Sequence, residues 1–151
     1  MGAESRLAEL GITLPEVVPP VAAYQPTARS GNLVFTAGQL PARDGEMIAV
    51  GKLGGEVSEE QGYECARQCA LNALAAVKAE IGSLDDVKRV VKVVVFVAST
   101  PEFTGQPKVA NGASELLGEV FGDAGKHARS AVGVSALPLD VPVEVEIIVE
   151  A

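Results

Sequence analysis

With 151 residues the chain is long enough for one compact domain with its own core and too short for two ordinary ones. Hydrophobic residues make up 48% but aromatics only 4%, with no Trp, so Val, Ala, Leu and Ile must build that core. A formal net charge of −8 without any basic cluster argues against nucleic acid as the primary ligand, since such binding draws most of its affinity from Lys and Arg on phosphates.

The N-terminus, Met1 to Arg6, lacks the basic-then-apolar pattern of a secretory signal, and Ser5 falls one place early for a myristoylation motif. No apolar run reaches the roughly 18 residues of a membrane span. The expectation is a soluble, cytoplasmic protein forming a single domain over 1–151, with residues 1–20 as an N-terminal extension. Leu7, Leu10 and Ile12 predict a short helix over 3–12, and Pro15 to Pro20 must be extended. Residues 24–30 and 33–39 read as a β-hairpin turning at Gly31-Asn32. Residues 41–55 hold four glycines and read as a loop with a short strand near 47–50.

Ser58 followed by Glu59, Glu60 and Gln61 is a helix start, and Ala66, Cys69, Ala70, Ala73, Leu74 and Val77 continue it to Ile81-Gly82. Cys65 and Cys69 are the only cysteines, four apart on that helix. This spacing suits neither a disulfide nor, with a single His in the chain, a complete metal site. They read as packed thiols in a reducing compartment, and no metal is expected. Residues 87–97 predict a strand whose second half is apolar on both faces, hence central and covered on both sides. A second long helix is expected over 107–121, with Val109, Ala113, Leu116, Leu117 and Val120 on its apolar side.

The chain closes with two strands around Leu137-Pro138-Leu139-Asp140. In the first, Arg129, Ala131, Gly133 and Ser135 share a face; in the second, Glu144, Glu146 and Glu150 do. A hairpin across 137–140 would place Arg129 and the glutamates on one polar face able to hold an anion and a water. Read alone, Arg129 is first a structural ion-pair partner of Glu144 or Glu146 and only second a ligand anchor. His127 reads as a surface or loop residue, and Glu146 and Glu150 as solvated or interface charges. Gly51-Lys52 lacks the spacing and the Ser/Thr of a phosphate-binding loop. One His with no G-x-S-x-G elbow supports no Ser-His-Asp set.

The order β-β-α-β-α-β-β gives an α+β protein, with both right-handed crossovers placing the two long helices on one face of a mixed sheet. The other face then needs a second subunit to cover it.

Gly31 to Pro41 (Gly-Asn-Leu-Val-Phe-Thr-Ala-Gly-Gln-Leu-Pro), Val95-Phe96-Val97, and Ala128-Arg129-Ser130 leading to Leu137-Pro138 and Val143-Glu144-Val145-Glu146 carry a resemblance. Over residues 20–150 the chain resembles the reactive intermediate deaminase family (RidA/YjgF, endoribonuclease L-PSP-like), as a divergent branch. The resemblance implies a chorismate-mutase-like fold, a homotrimer with ligand clefts between subunits, and hydrolysis of 2-imino and enamino acids to 2-keto acids and ammonia without a cofactor. Arg129 would hold the substrate carboxylate through a bidentate pair. Glu144 would orient and polarise the attacking water. Tyr24, Gly38 and the residues at 37 and 131 would line the cleft. Where the family pattern has Ser and Cys, this chain has Ala37 and Ala131, so the polar lining is reduced. A non-catalytic trimer binding small carboxylate metabolites is therefore the alternative function. A ribonuclease or translation-inhibitor role is third, opposed by the acidic charge and the absence of paired histidines.

Overall fold

A computed structural model describes residues 2–20 and 22–151. In chain order the elements are α1 (Ala3–Glu9), β1 (Thr27–Ser30), β2 (Leu33–Thr36), β3 (Ala42–Arg43), β4 (Glu46–Met47), α2 (Glu59–Ile81), β5 (Arg89–Ala98), α3 (Gln106–Phe121), β6 (Ala128–Val134) and β7 (Val143–Glu150). α1 stops short of the expected residue 12 because Gly11 takes a φ of +71°, a left-handed C-terminal turn open to glycine. β3 and β4 form a small hairpin turning at Asp44 and Gly45, both at positive φ, so the strand expected near 47–50 is shorter and earlier. α2 starts on a reciprocal cap: Ser58 Oγ accepts the Gln61 N–H at 3.1 Å and Gln61 Oε1 accepts the Ser58 N–H at 2.8 Å. None of the described helices is long and apolar enough to cross a membrane.

Five strands make one mixed sheet in the order β1-β2-β7-β5-β6, parallel only between β5 and β6. Alternation sends Val90, Val93, Val95 and Val97 of β5 and Val143, Val145, Ile147 and Val149 of β7 to one face, all buried beneath α2 and α3. The helices answer with small side chains, Cys69, Ala70 and Ala73 from α2 and Ala110 and Ala113 from α3. Gly112 of α3 lies against the Tyr63 carbonyl of α2 so closely that a Cβ there would overlap backbone. The opposite face carries Phe35, Ile148, Val94, Phe96 and Val132, of which Phe35 is 38% and Val132 44% exposed. In the single chain, β5 is therefore covered on one side only, not both.

The closing hairpin is not formed. β5 lies between β6 and β7, pairing with each. The segment after β6 arches over the end of β5, where Ser99 N–H donates to Val134 O at 3.1 Å and Ala98 N–H to Pro142 O at 2.9 Å. Leu139 and Asp140 both sit at positive φ (59° and 58°), but the arch crosses the end of β5 instead of joining neighbouring strands, since Val134 and Pro142 at its two ends accept from Ser99 and Ala98. Inserting a strand reverses the parity. Arg129 stands opposite Val93, which stands opposite Ile147, whereas Glu144 faces Phe96 and Glu146 faces Val94. Arg129 thus shares the helix side of the sheet, and the glutamates lie on the other.

Candidate functional site

Glu144 owes its position to the strict Val–Glu alternation of β7, which turns it away from the helices. After β2 the chain leaves the ladder at Ala37 and Gly38 and rejoins it through Gln39, which exchanges both backbone hydrogen bonds with Val145 at 2.7 and 3.0 Å. That detour lays Gly38 directly over the Glu144 carboxylate, at a distance no Cβ could share. Pro138 closes the cleft from the arch, which is itself pinned by the Gly51 N–H on Asp140 O at 2.8 Å. Tyr24, Ala37, Gly38, Leu40, Pro138 and Glu144 line a cleft of about 340 Å³. Burial pushes the Glu144 carboxyl above its ordinary value, and the like charge of Glu146 adds to the shift. Half-buried and next to a bare backbone, it can hold or release a proton closer to neutrality than a solvated glutamate.

Arg129 sits on the edge strand beside α3. Its Nη1 donates to Asn111 Oδ1 at 2.8 Å and Ser114 Oγ at 3.1 Å, and Nη2 reaches Pro107 O at 3.4 Å. Among the described residues no carboxylate comes within ion-pair distance of it. The ion pair with Glu144 or Glu146 allowed by the sequence is therefore absent: three neutral oxygens hold a cation whose charge is left uncancelled. Ala131, two residues on, faces the same way opposite Val95 and packs against the core.

The expected residues thus fall into two groups: Tyr24, Ala37, Gly38 and Glu144 in the cleft, Arg129 and Ala131 on the helix side at the far edge. Leu40 and Pro138 join the first group, Asn111 and Ser114 the second, and the sequence reading assigned none of these four to the site. Asn111 and Ser114 leave a trace: polar residues three apart on α3, directly following the apolar positions Ala110 and Ala113. Only the parallel β5–α3–β6 crossover brings that stripe over β6. Cys65 and Cys69 are free and buried; burial pushes the Cys65 thiol up to about 11 and that of Cys69 well above its usual range. Among the described residues, no three His, Cys, Asp or Glu side chains gather as a metal site requires.

Residues 4–151 match the family described as "YjgF/chorismate mutase-like, putative endoribonuclease". Protein TCP17 of Trypanosoma cruzi is 46% identical over 147 residues, covering 97% of this chain and 92% of that protein. A 2-iminobutanoate/2-iminopropanoate deaminase of Dermatophagoides farinae is 31% identical over 140 residues, covering 91% and 93%. The crystal structure of Atu1372 from Agrobacterium tumefaciens superposes with a TM-score of 0.91 at 46% identity, covering 98% of this chain and 91% of that one. That of Escherichia coli TdcF with bound serine superposes at 0.62 with 25% identity, covering 91% and 92%. With nearly its whole length matched by the family and its sheet and helices laid out as in these relatives, the chain belongs to the YjgF/RidA-like family.

Proposed function

We propose that the protein hydrolyses small 2-imino or enamino acids to 2-keto acids and ammonia, with water as nucleophile and no cofactor. The observation that carries this reading is the half-buried Glu144 carboxyl, raised in its proton affinity and set in a cleft against the bare backbone of Gly38. In the first step water adds to the carbon of the protonated imine and gives one proton to Glu144, leaving a neutral tetrahedral carbinolamine with its hydroxyl on carbon. Glu144 returns that proton to the nitrogen, the C–N bond breaks to release ammonia, and the hydroxyl proton passes to the freed Glu144 carboxylate and on to ammonia as the keto acid C=O forms. One carboxyl serves both steps when its proton affinity lies between that of a free glutamate and that of an amine. Arg129, with no acid to neutralise it, supplies the carboxylate anchor.

Anchor and carboxyl lie on opposite faces of one sheet, so they act on one substrate only across a subunit boundary. The reading therefore includes a homotrimer in which the β6 edge of one chain approaches the Glu144 cleft of the next. Generating 2-aminoacrylate in the presence of the protein and following keto acid release tests it. The expected outcome is release above background, reduced about 10²–10⁴-fold in Glu144→Gln. Equal rates for wild type and variant would reject it. The alternative, a binder of small carboxylates without turnover, draws support from Ala37, which leaves Tyr24 and Glu144 as the polar side chains among the described residues lining the cleft, and from the serine held by the TdcF relative. Ligand uptake without keto acid release would favour it. RNA cleavage is opposed by the net charge of −8 and by the single histidine, both of whose ring nitrogens are engaged.

A further inference from the structure

His127, the last residue but one before Arg129, and Ser114 on α3 have no role in the reaction just described. His127 Nδ1 lies 2.6 Å from the Gly125 carbonyl oxygen and Nε2 lies 2.8 Å from Ser114 Oγ. A carbonyl oxygen only accepts, so Nδ1 carries the hydrogen, and in the neutral imidazole Nε2 is then the acceptor. Ser114 must give its one hydroxyl hydrogen to Nε2, which leaves its lone pairs to the Arg129 Nη1–H at 3.1 Å. The direction of every bond from the Gly125 carbonyl to the guanidinium is thereby fixed.

Asn111 Oδ1 accepts from the same Nη1 at 2.8 Å, so the Nη1 end of the guanidinium is held by two side chains. Nη2 has one long contact, to Pro107 O at 3.4 Å, and among the described residues Nε–H has no acceptor. Nε and Nη2 share one edge of the plane, spaced to meet two carboxylate oxygens. We propose that Ser114 and His127 are positioning residues that lock the Arg129 guanidinium by its Nη1 end and turn the Nε–Nη2 edge outward toward a carboxylate. This rests on the reading of Arg129 as the substrate anchor.

The test has a ligand-free arm and a ligand arm, both on the intact protein. Nitrogen-15 spectra should show His127 as the Nδ1-protonated tautomer and separate, slowly exchanging Nη signals for Arg129. Ser114→Ala should merge those signals while leaving the melting temperature within a few degrees, Ser114→Thr should restore them, and His127→Phe should merge them independently. Calorimetry with 2-oxobutanoate should then show about three- to tenfold weaker binding in Ser114→Ala, as for loss of one hydrogen bond. In an Arg129→Lys background, Ser114→Ala should cost nothing further. Unchanged Arg129 signals in both Ser114→Ala and His127→Phe would overturn the proposal, as would an affinity loss that persists undiminished without Arg129. If wild type takes up no keto acid, the anchor reading fails, and the spectra alone still decide whether Ser114 and His127 hold the guanidinium.

Discussion

The Glu144 carboxylate occupies the space a Cβ on residue 38 would take, and Glu144 and Gly38 each yield an expectation. The native carboxyl is raised by burial and by Glu146, so it still holds its proton at pH values where the unfolded chain has released it. The native state then binds more protons, and this group's contribution to stability falls as pH rises from the ordinary glutamate value through the raised native one. Glu144→Gln removes that slope. Its melting temperature relative to wild type should climb as pH rises from the ordinary glutamate value and level off once the native carboxyl has ionised. A constant difference would mean the carboxyl is not perturbed. Gly38→Ala is different in kind, because the atom its Cβ meets is the mobile end of Glu144. The fold should lose less than about 1 kcal/mol, while turnover drops about a hundredfold as the carboxyl is displaced. Parallel denaturation and rate measurements check both halves, and a large stability loss would show that the backbone, not Glu144, gives way.

Among the elements, what could be read from sequence was what is local. The Gly31-Asn32 turn, the Ser58–Gln61 cap and the 3.6-residue stripe of α3 are each contained in a dozen residues, and each is where the residues placed it. The pairing of β6 was not local. A β6–β7 hairpin would turn Val132 and Val134 toward the buried valines of β7, whereas β5 lying between the two strands leaves Val132 on the outer face, a difference no local sequence signal decides. That single insertion moved Arg129 to the other face and divided the expected site, while leaving Tyr24, Ala37, Gly38 and Glu144 together because they depend only on β2 meeting β7. Helix–helix contact offers a test at this scale. Ala usually stabilises a helix interior over Gly by about 0.5–1 kcal/mol. Gly118 of α3 has open space and should follow that rule. Gly112 should reverse it, since its Cβ meets the Tyr63 carbonyl, which cannot rotate away. Overpacking costs about 1–3 kcal/mol, so Gly112→Ala should lower the melting temperature by several degrees where Gly118→Ala raises it. Scanning calorimetry on both variants reads the sign directly, and a shift of the same sign in both would mean the helices separate freely.

At the scale of the whole molecule, helices and sheet make two layers, and the outer face of the sheet is left uncovered in a single chain. α2 and α3 cover one face to near-zero exposure, and the other presents Phe35, Ile148, Val94, Phe96 and Val132 in a band interrupted by Lys92, Glu144 and Glu146. Scattered surface apolar residues need no explanation, but a band spanning four strands does. Covering it also serves the chemistry, since a single chain offers Arg129 and Glu144 on opposite faces and a neighbouring copy can bring one to the other. The expectation is a mass in solution of three times the 15.5 kDa chain, measured by light scattering. Val132→Glu places a charge at the β6 end of that face, on the same edge strand as Arg129 but on its opposite side, and a buried charge without a partner is costly enough to oppose association. It should shift the mass toward 15.5 kDa and, in the same sample, abolish keto acid release even though Val132 touches neither Arg129 nor the cleft. Dissociation with full activity would show that one chain suffices and that Arg129 is not the anchor. A wild-type protein that is already a stable monomer would remove the shared site altogether.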